Sequence, residues 1–149
     1  MIIRLYTDGA ARGNPGPAGL GVVIFAGESV HEYTQYLGET TNNQAEYQAL
    51  IFALEKLIGL IAQENLSVEK VVCYSDSELL VRQMKRQYRV KDAKLALLFV
   101  KAWNLLQKLP AAEFVSIPRE QNTRADKLAN QAIEYKLKTQ NQQTTTKNS

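Results

Sequence analysis

Two short segments of this chain end in the same way, and their shared ending constrains the fold more than any other feature. Residues 3–8 and residues 71–76 are apolar, β-rich runs that close on a tyrosine, a hydroxyl residue and an aspartate, namely Asp8 and Asp76. If the two runs are neighbouring parallel strands, both carboxylates emerge at the same edge of the sheet, where open α/β sheets bind ligands. Adjacent carboxylates repel each other, and a divalent cation between them relieves that repulsion. The pairing therefore predicts a metal-dependent enzyme.

The predicted elements follow the order of one α/β domain. The first three strands form an antiparallel meander, because a hairpin turn at residues 26–29 joins the second strand to the third. Thr41 and Gln44 have the spacing of a capping box, and the apolar residues behind them recur at helical intervals. Strands are predicted over residues 2–8, 20–25, 30–37, 70–75 and 113–117. Helices are predicted after residue 41 and over residues 76–87, 93–108 and 123–137, with loops over residues 10–17 and 118–122.

The end of the chain differs in composition from the rest. Residues 138–149 contain no apolar side chain, and we expect them to be disordered or loosely helical. The single domain is therefore predicted to span residues 1–137. With 149 residues, of which 45% are hydrophobic, the chain is large enough to bury a core.

The cysteine content and hydropathy indicate a cellular setting. The single cysteine, Cys73, excludes an internal disulfide framework and favours a reducing compartment. No apolar run approaches the length of a membrane span, and the first residues lack a signal-peptide pattern. We expect a cytoplasmic, monomeric protein with no membrane contact.

The positive charge is concentrated in one segment. Residues 82–101 carry seven basic side chains and one acidic side chain, a net charge of +6 within a chain whose net charge is +3. A basic lobe beside an acidic cluster suits a polyanionic substrate that is bound at one place and cut at another. A solvated helix face is the alternative explanation.

Four acidic residues occupy positions where the secondary-structure pattern does not require them: Asp8, Glu46, Asp76 and Asp126. Each has a structural explanation of its own, as part of a turn with the glycine that follows Asp8, as an acid near a helix start, or as part of a helix cap. Together they are more informative, because two strand ends and two helix starts would deliver four carboxylates that can converge.

The motifs around these acids resemble ribonuclease H, type 1. They are Asp-Gly and Gly-Asn-Pro-Gly within residues 8–16, Thr-Thr-Asn-Asn-Gln-Ala-Glu at 40–46, Tyr-Ser-Asp-Ser at 74–77 and Asn-Thr-Arg-Ala-Asp at 122–126. The resemblance extends over residues 2–135, in a short form without the long basic handle of some members. It implies an α/β, ribonuclease H-like fold, with a five-stranded mixed sheet flanked by helices. Strands one to three would form the antiparallel meander, and strands four and five would run parallel to strand one.

The resemblance also implies an activity. Members cut the RNA strand of RNA–DNA hybrids at a site of four carboxylates and two Mg²⁺ ions, and Mn²⁺ can substitute. By this resemblance Asp8 bridges the two ions, and Glu46, Asp76 and Asp126 complete their coordination. The chemistry agrees, because Mg²⁺ prefers oxygen ligands and a pair of metals suits in-line displacement at phosphorus. The expected products carry a 5′-phosphate and a 3′-hydroxyl.

Substrate binding is expected from a second group of side chains: Asn14, Thr41, Asn42, Asn43 and Gln44. Amides both donate and accept hydrogen bonds, so they can recognise a 2′-hydroxyl and minor-groove base edges. The resemblance assigns Asn14, Asn42 and Gln44 to the RNA strand and Thr41 to a phosphate of the DNA strand. Helix capping is the alternative role for Asn42 and Asn43. Arg86, in the basic segment, is a further candidate for phosphate binding.

The chain departs from the family pattern in the loop before Asp126. Many members carry a histidine there, whereas residues 116–121 contain none, and the chain's one histidine, His31, lies in the meander. We expect Arg119 or Glu120 to replace it in part, through the scissile phosphate or a metal-bound water. The single tryptophan, Trp103, is better explained as a core residue than as part of a basic handle.

Two other classes of function compete with the nuclease. A non-catalytic module that binds RNA–DNA hybrids or RNA is the main alternative, although such modules usually lose at least one of the four acids. A phosphatase using Asp8 as its nucleophile would need a second aspartate at position 10, which is Ala10. The acidic residues therefore favour the nuclease.

Overall fold

The computed structural model describes residues 1–148, with side chains through residue 140. Within this range five strands form one sheet: β1 (Ile2–Ala11), β2 (Gly16–Ala26), β3 (Ser29–Thr40), β4 (Lys70–Ser75) and β5 (Ala112–Ser116). The helices are α1 (Asn42–Glu64), α2 (Glu78–Met84), α3 (Ala93–Leu106) and α4 (Thr123–Asn148), and a 3-10 helix spans Arg119–Gln121. The strand order is β3-β2-β1-β4-β5, with β1, β2 and β3 antiparallel and with β4 and β5 parallel to β1. The predicted sheet is confirmed.

The hydrophobic core lies between the sheet and α1, with α3 packed behind that helix. Leu5, Leu20 and Val22 point from the sheet into this layer, and Leu50 and Leu54 meet them from α1. All five side chains are fully buried. This layer fixes the position of α1, and with it the acid in its second turn.

The helix α4 packs on the opposite face of the sheet, against β2, through two glycines. A Cβ atom at Gly21 would lie 2.0 Å from the carbonyl oxygen of Ala125, and one at Gly19 would lie 2.5 Å from that of Ala129. These glycines therefore serve close helix–sheet packing.

The predicted loop over residues 10–17 is too long, because β1 continues to Ala11 and β2 starts at Gly16.

Several helix ends differ from the predicted ones. The helix α2 stops at Met84 because the backbone turns left-handed at Arg86, with φ of 65°. Trp103 is half-buried against the core, as predicted. The backbone of α4 continues to Asn148, beyond the predicted end near residue 137. The prediction for residues 138–149 falls partly outside the described residues, since Ser149 and the side chains from residue 141 onward are not described, and the domain boundary stays a prediction.

Two further expectations concern His31 and membranes. His31 lies on β3, and its Nε2 atom is buried without a hydrogen-bond partner among the described residues. In the same part of the chain, no helix is both long enough and apolar enough to cross a membrane.

Candidate active site

The two strand-terminal aspartates meet at one edge of the sheet. The parallel register of β1 and β4 pairs Thr7 with Ser75. Asp8 and Asp76 are the next residues, so they lie side by side at the same edge of the sheet. Asp8 is 4% exposed. Asp76 comes directly before the N-terminus of α2, where Ser77 caps the helix by accepting the Leu80 N–H at 3.2 Å. The juxtaposition that the sequence predicted is therefore present.

Glu46 reaches the same place from α1 because Gly9 lets that helix approach β1 closely. A Cβ atom at Gly9 would lie 2.2 Å from the carbonyl carbon of Ala45 and 2.4 Å from the Glu46 nitrogen. Burial raises the pKa of Glu46, and the nearby backbone N–H of Gly9 opposes that rise. One oxygen each of Asp8, Glu46 and Asp76 lie within 4.8 Å of one another.

Asp126 enters from the first turn of α4, and Asn122 anchors that turn to the sheet. The buried Asn122 side chain donates from Nδ2 to the Thr7 carbonyl at 2.9 Å, and the Asn122 carbonyl accepts the Asp126 N–H at 3.0 Å. Asp126 lies close enough to Asp8 and Asp76 to raise the pKa of both, in addition to the rise that burial causes. All four carboxylates line one cleft of about 510 Å³.

The four carboxylates repel one another, so without a cation their ionised forms are unfavourable in this cleft. Burial, reinforced by the neighbouring carboxylates, raises the pKa of Asp8 far above its usual range, and burial likewise raises the pKa of Glu46. Burial also raises the pKa of Asp76, against the opposing charge of Arg119. Glu46 Oε2 is buried without a hydrogen-bond partner. An oxygen-only donor set with an unpaired buried oxygen fits a hard divalent cation.

Two of the four predicted substrate-binding amides, Asn42 and Asn43, line the cleft, whereas Asn14 and Gln44 do not. Asn42 Oδ1 accepts the Ala11 N–H at 3.0 Å, and Asn14 Oδ1 accepts the Asn42 N–H at 3.2 Å, so the two residues tie the β1–β2 turn to α1.

The predicted capping box is half present. Thr41 caps α1 by accepting the Gln44 N–H at 3.2 Å, whereas the Gln44 side chain accepts a hydrogen bond from the Thr40 hydroxyl instead of returning to Thr41. The N-cap of α1 is therefore Thr41, and Asn42 and Asn43 follow it in the first turn of the helix.

Of the three other predicted site residues, Arg119, Glu120 and Arg86, only the first lines the acidic cleft. Arg119 lines the cleft, with Nη2 3.6 Å from Asp126 Oδ1, and its side chain is 77% exposed. Glu120 is exposed next to it and is not among the cleft-lining residues. Arg86 lies over the ring of Trp103 at 5.4 Å, in a different cavity beside the start of β5. The start of a parallel strand is at the sheet edge opposite the carboxylates, so any phosphate contact of Arg86 would fall outside the acidic cleft.

Arg12 and Asn130, which line the cleft, and the buried anchor Asn122 were not predicted as site residues from the sequence. Asn130 follows Asp126 by four residues on a predicted helix, which places it on the same face, and this spacing was a usable signal. Arg12 gave no local signal, because its partners lie more than a hundred residues away in sequence.

This geometry has counterparts among known proteins. Residues 6–132 match the family described as reverse transcriptase-like. The chain is 37% identical over 142 residues to a ribonuclease H of Halorhodospira halophila, which covers 89% of this chain and 93% of that relative. It spans only 36% of the length of three mycobacterial relatives to which it is 37% identical.

Solved structures give the same result. LC11-RNase H1, crystallised in complex with an RNA/DNA hybrid, superposes with a TM-score of 0.84 at 49% identity, covering 91% of this chain and 99% of that one. RNase H1 of Halobacterium salinarum superposes with a TM-score of 0.80 at 38% identity, covering 90% of this chain and 98% of that one. The sheet order and the acidic cleft thus define a ribonuclease H-like nuclease fold. The chain belongs to the ribonuclease H family, as predicted.

Proposed function

We propose that this chain is an endoribonuclease that hydrolyses the RNA strand of RNA–DNA hybrids with two divalent cations. The observation that carries the proposal is the convergence of Asp8, Glu46, Asp76 and Asp126 in one cleft rimmed by amide side chains. The complex of LC11-RNase H1 with an RNA/DNA hybrid supports the substrate class. The proposed products carry a 5′-phosphate and a 3′-hydroxyl, because water and not the ribose 2′-hydroxyl attacks.

The cations proposed are two Mg²⁺ ions, for which Mn²⁺ can substitute. Asp8 is the proposed shared ligand, because one of its oxygens lies within 4.8 Å of oxygens of Glu46 and Asp76, and Asp126 is close enough to raise its pKa beyond the rise from burial. When bound, the cations would stabilise the attacking and leaving oxygens and supply hydroxide near neutral pH. The carboxylates supply the negative charge that selects the cations, and their close packing makes that charge unfavourable until cations arrive.

The rim residues are proposed to recognise the hybrid. The hydrogen bonds that Asn14 and Asn42 accept join the β1–β2 turn to the start of α1, the helix that carries Glu46. These bonds use the side-chain oxygens, so the NH₂ groups of both amides can meet the RNA strand. Asn43 and Gln44 lie in the same first turn of α1, and Thr41 at its cap is the proposed contact to a DNA phosphate. A basic segment around Arg86 would add salt-dependent binding away from the cleft.

We further propose a monomer that works in the cytoplasm. The free thiol of Cys73 is buried, which is compatible with a reducing compartment. Gel filtration with light scattering tests the monomer, and fractionation of cells tests the location.

The test of the activity is cleavage of matched duplexes that differ only in their sugars. An RNA–DNA hybrid, the same duplex as RNA and the same duplex as DNA are each incubated with Mg²⁺ and with a chelator. We expect the RNA strand of the hybrid alone to be cut, only in the presence of the cation, with 5′-phosphate ends by mass spectrometry. Binding of the hybrid without cleavage would instead support a non-catalytic module.

Arg119 is expected to assist turnover from the exposed side of the cleft. Its guanidinium opposes the rise in the pKa of Asp76 and approaches Asp126 at 3.6 Å. Arg119→Ala should lower kcat about tenfold, the lower end of the range for groups that support metal ligands, while Arg119→Lys should retain much of the rate. Steady-state kinetics on the hybrid measure both variants. An Arg119→Ala enzyme with unchanged kcat would remove this assignment and leave Glu120 to be tested.

A further inference from the structure

A line of polar contacts runs along α4 from Asp126. Asp126, Asn130 and Glu134 are spaced four residues apart and share one face of the helix. Asn130 Nδ2 donates to Asp126 Oδ1 at 3.2 Å and to the Asp126 carbonyl at 3.0 Å. Asn130 thus holds the carboxylate of Asp126 from within its own helix.

Arg12, from the turn after β1, completes this line. Its Nη2 donates to Glu134 Oε1 at 3.0 Å and, in a longer contact, to Asn130 Oδ1 at 3.5 Å. A guanidinium can only donate, so it selects the orientation in which the Asn130 amide oxygen faces Arg12 and its NH₂ group faces Asp126. The contact therefore reinforces the amide orientation that the two Asp126 acceptors already require.

The turn that carries Arg12 is fixed by its own packing. The Arg12 N–H donates to the Pro17 carbonyl at 2.8 Å, and a Cβ atom at Gly16 would lie 2.1 Å from the Arg12 carbonyl oxygen. The turn is therefore closed by a direct backbone contact that only glycine permits. Because this backbone contact leaves the turn little room to move, it holds Arg12 in a fixed position relative to α4.

Asp126 is more exposed than Asp8 and Glu46 and therefore needs more support from its surroundings. Its side chain is 29% exposed, whereas Asp8 and Glu46 are buried, and the exposed Arg119 approaches the same Oδ1 atom that Asn130 contacts. We propose that Arg12, acting through Asn130 and anchored by Glu134, is a positioning residue that orients Asp126 for cation binding. This inference deepens the proposed function and rests on it.

The test is a double-mutant cycle read out by Mn²⁺ binding without nucleic acid, using isothermal titration calorimetry. We expect Asn130→Ala to weaken Mn²⁺ binding about tenfold and Arg12→Met to weaken it by less than about tenfold. The double variant should match Asn130→Ala alone, because Arg12 acts only through that amide. Glu134→Gln, which keeps an acceptor, should give a smaller shift in the same direction. At saturating Mg²⁺ the KM for the hybrid should not change.

The matched control is Arg124→Met, which removes an exposed arginine of α4 whose partner is Glu32 at 2.9 Å and which does not line the cleft. It should bind Mn²⁺ like the wild type. An Arg12→Met protein with wild-type Mn²⁺ affinity, or with a raised KM and effects additive to those of Asn130→Ala, would overturn the inference and make Arg12 a substrate contact. A wild-type protein that neither binds Mn²⁺ nor cuts the hybrid would overturn the proposed function itself.

Discussion

We expect replacement of Asp8 by Asn to abolish hydrolysis of the hybrid and to make the cation-free protein more stable. Burial raises the pKa of Asp8, and Glu46, Asp76 and Asp126 are all close enough to raise it further, so replacing Asp8 would remove the proposed shared ligand of both cations. We expect kcat to fall at least about 1,000-fold, since the cations supply several kcal/mol of transition-state stabilisation. Single-turnover cleavage of the hybrid at saturating Mg²⁺ measures the loss.

The gain in stability has a separate cause. Burial and the neighbouring carboxylates raise the pKa of Asp8, so at neutral pH the cation-free folded chain must bind a proton that the unfolded chain does not hold, which costs folding free energy. A neutral amide of the same shape avoids this cost, and we expect a gain of at least about 1 kcal/mol and a Tm higher by about 2–4 °C. Glu28→Gln, which neutralises an exposed carboxylate in the turn between β2 and β3, outside the cleft, is the control and should change neither quantity. An active or a destabilised Asp8→Asn protein would contradict the assignment.

The second large effect is a loss of stability with rising pH that cations reverse. Asp8, Glu46 and Asp76 all have raised pKa values in the folded chain. Above their unfolded values, near pH 4, the folded state holds more protons than the unfolded state, so the free energy of unfolding falls as the pH rises. This sign is opposite to that of a salt-bridged carboxylate.

Thermal unfolding of the chelated protein from about pH 5 to about pH 8 measures this effect. We expect the Tm of the wild type to fall relative to that of Asp8→Asn across this window. Mg²⁺ at about a hundred times its dissociation constant should stabilise the wild type by about 2.7 kcal/mol, and the variant by much less. Parallel curves for the two proteins, with no response to Mg²⁺, would show that the carboxylates do not share a cation site.

Local sequence rules were sufficient where the structure depends on neighbours in the chain. Thr41 caps α1 and Ser77 caps α2 through bonds to residues three positions on, and such contacts can be derived from spacing. The β-rich runs gave the order of the elements and the antiparallel meander, whereas the complete mixed sheet was what the family resemblance implied. The ends of β1 and β2 were harder, because pairing between Ala11 and Ala18 extends the ladder through a segment rich in turn residues.

The two strand endings at Asp8 and Asp76, and the motifs around Glu46 and Asp126, determined from the sequence alone that this chain carries an acidic site on an α/β sheet. Only the tertiary structure decided how the site is supported. Arg12 and Asn122 reach their partners across more than a hundred residues, where α4 docks on β2. The physical reason is range: capping and periodicity act within a few residues, whereas these hydrogen bonds exist only after two distant backbones have packed in contact.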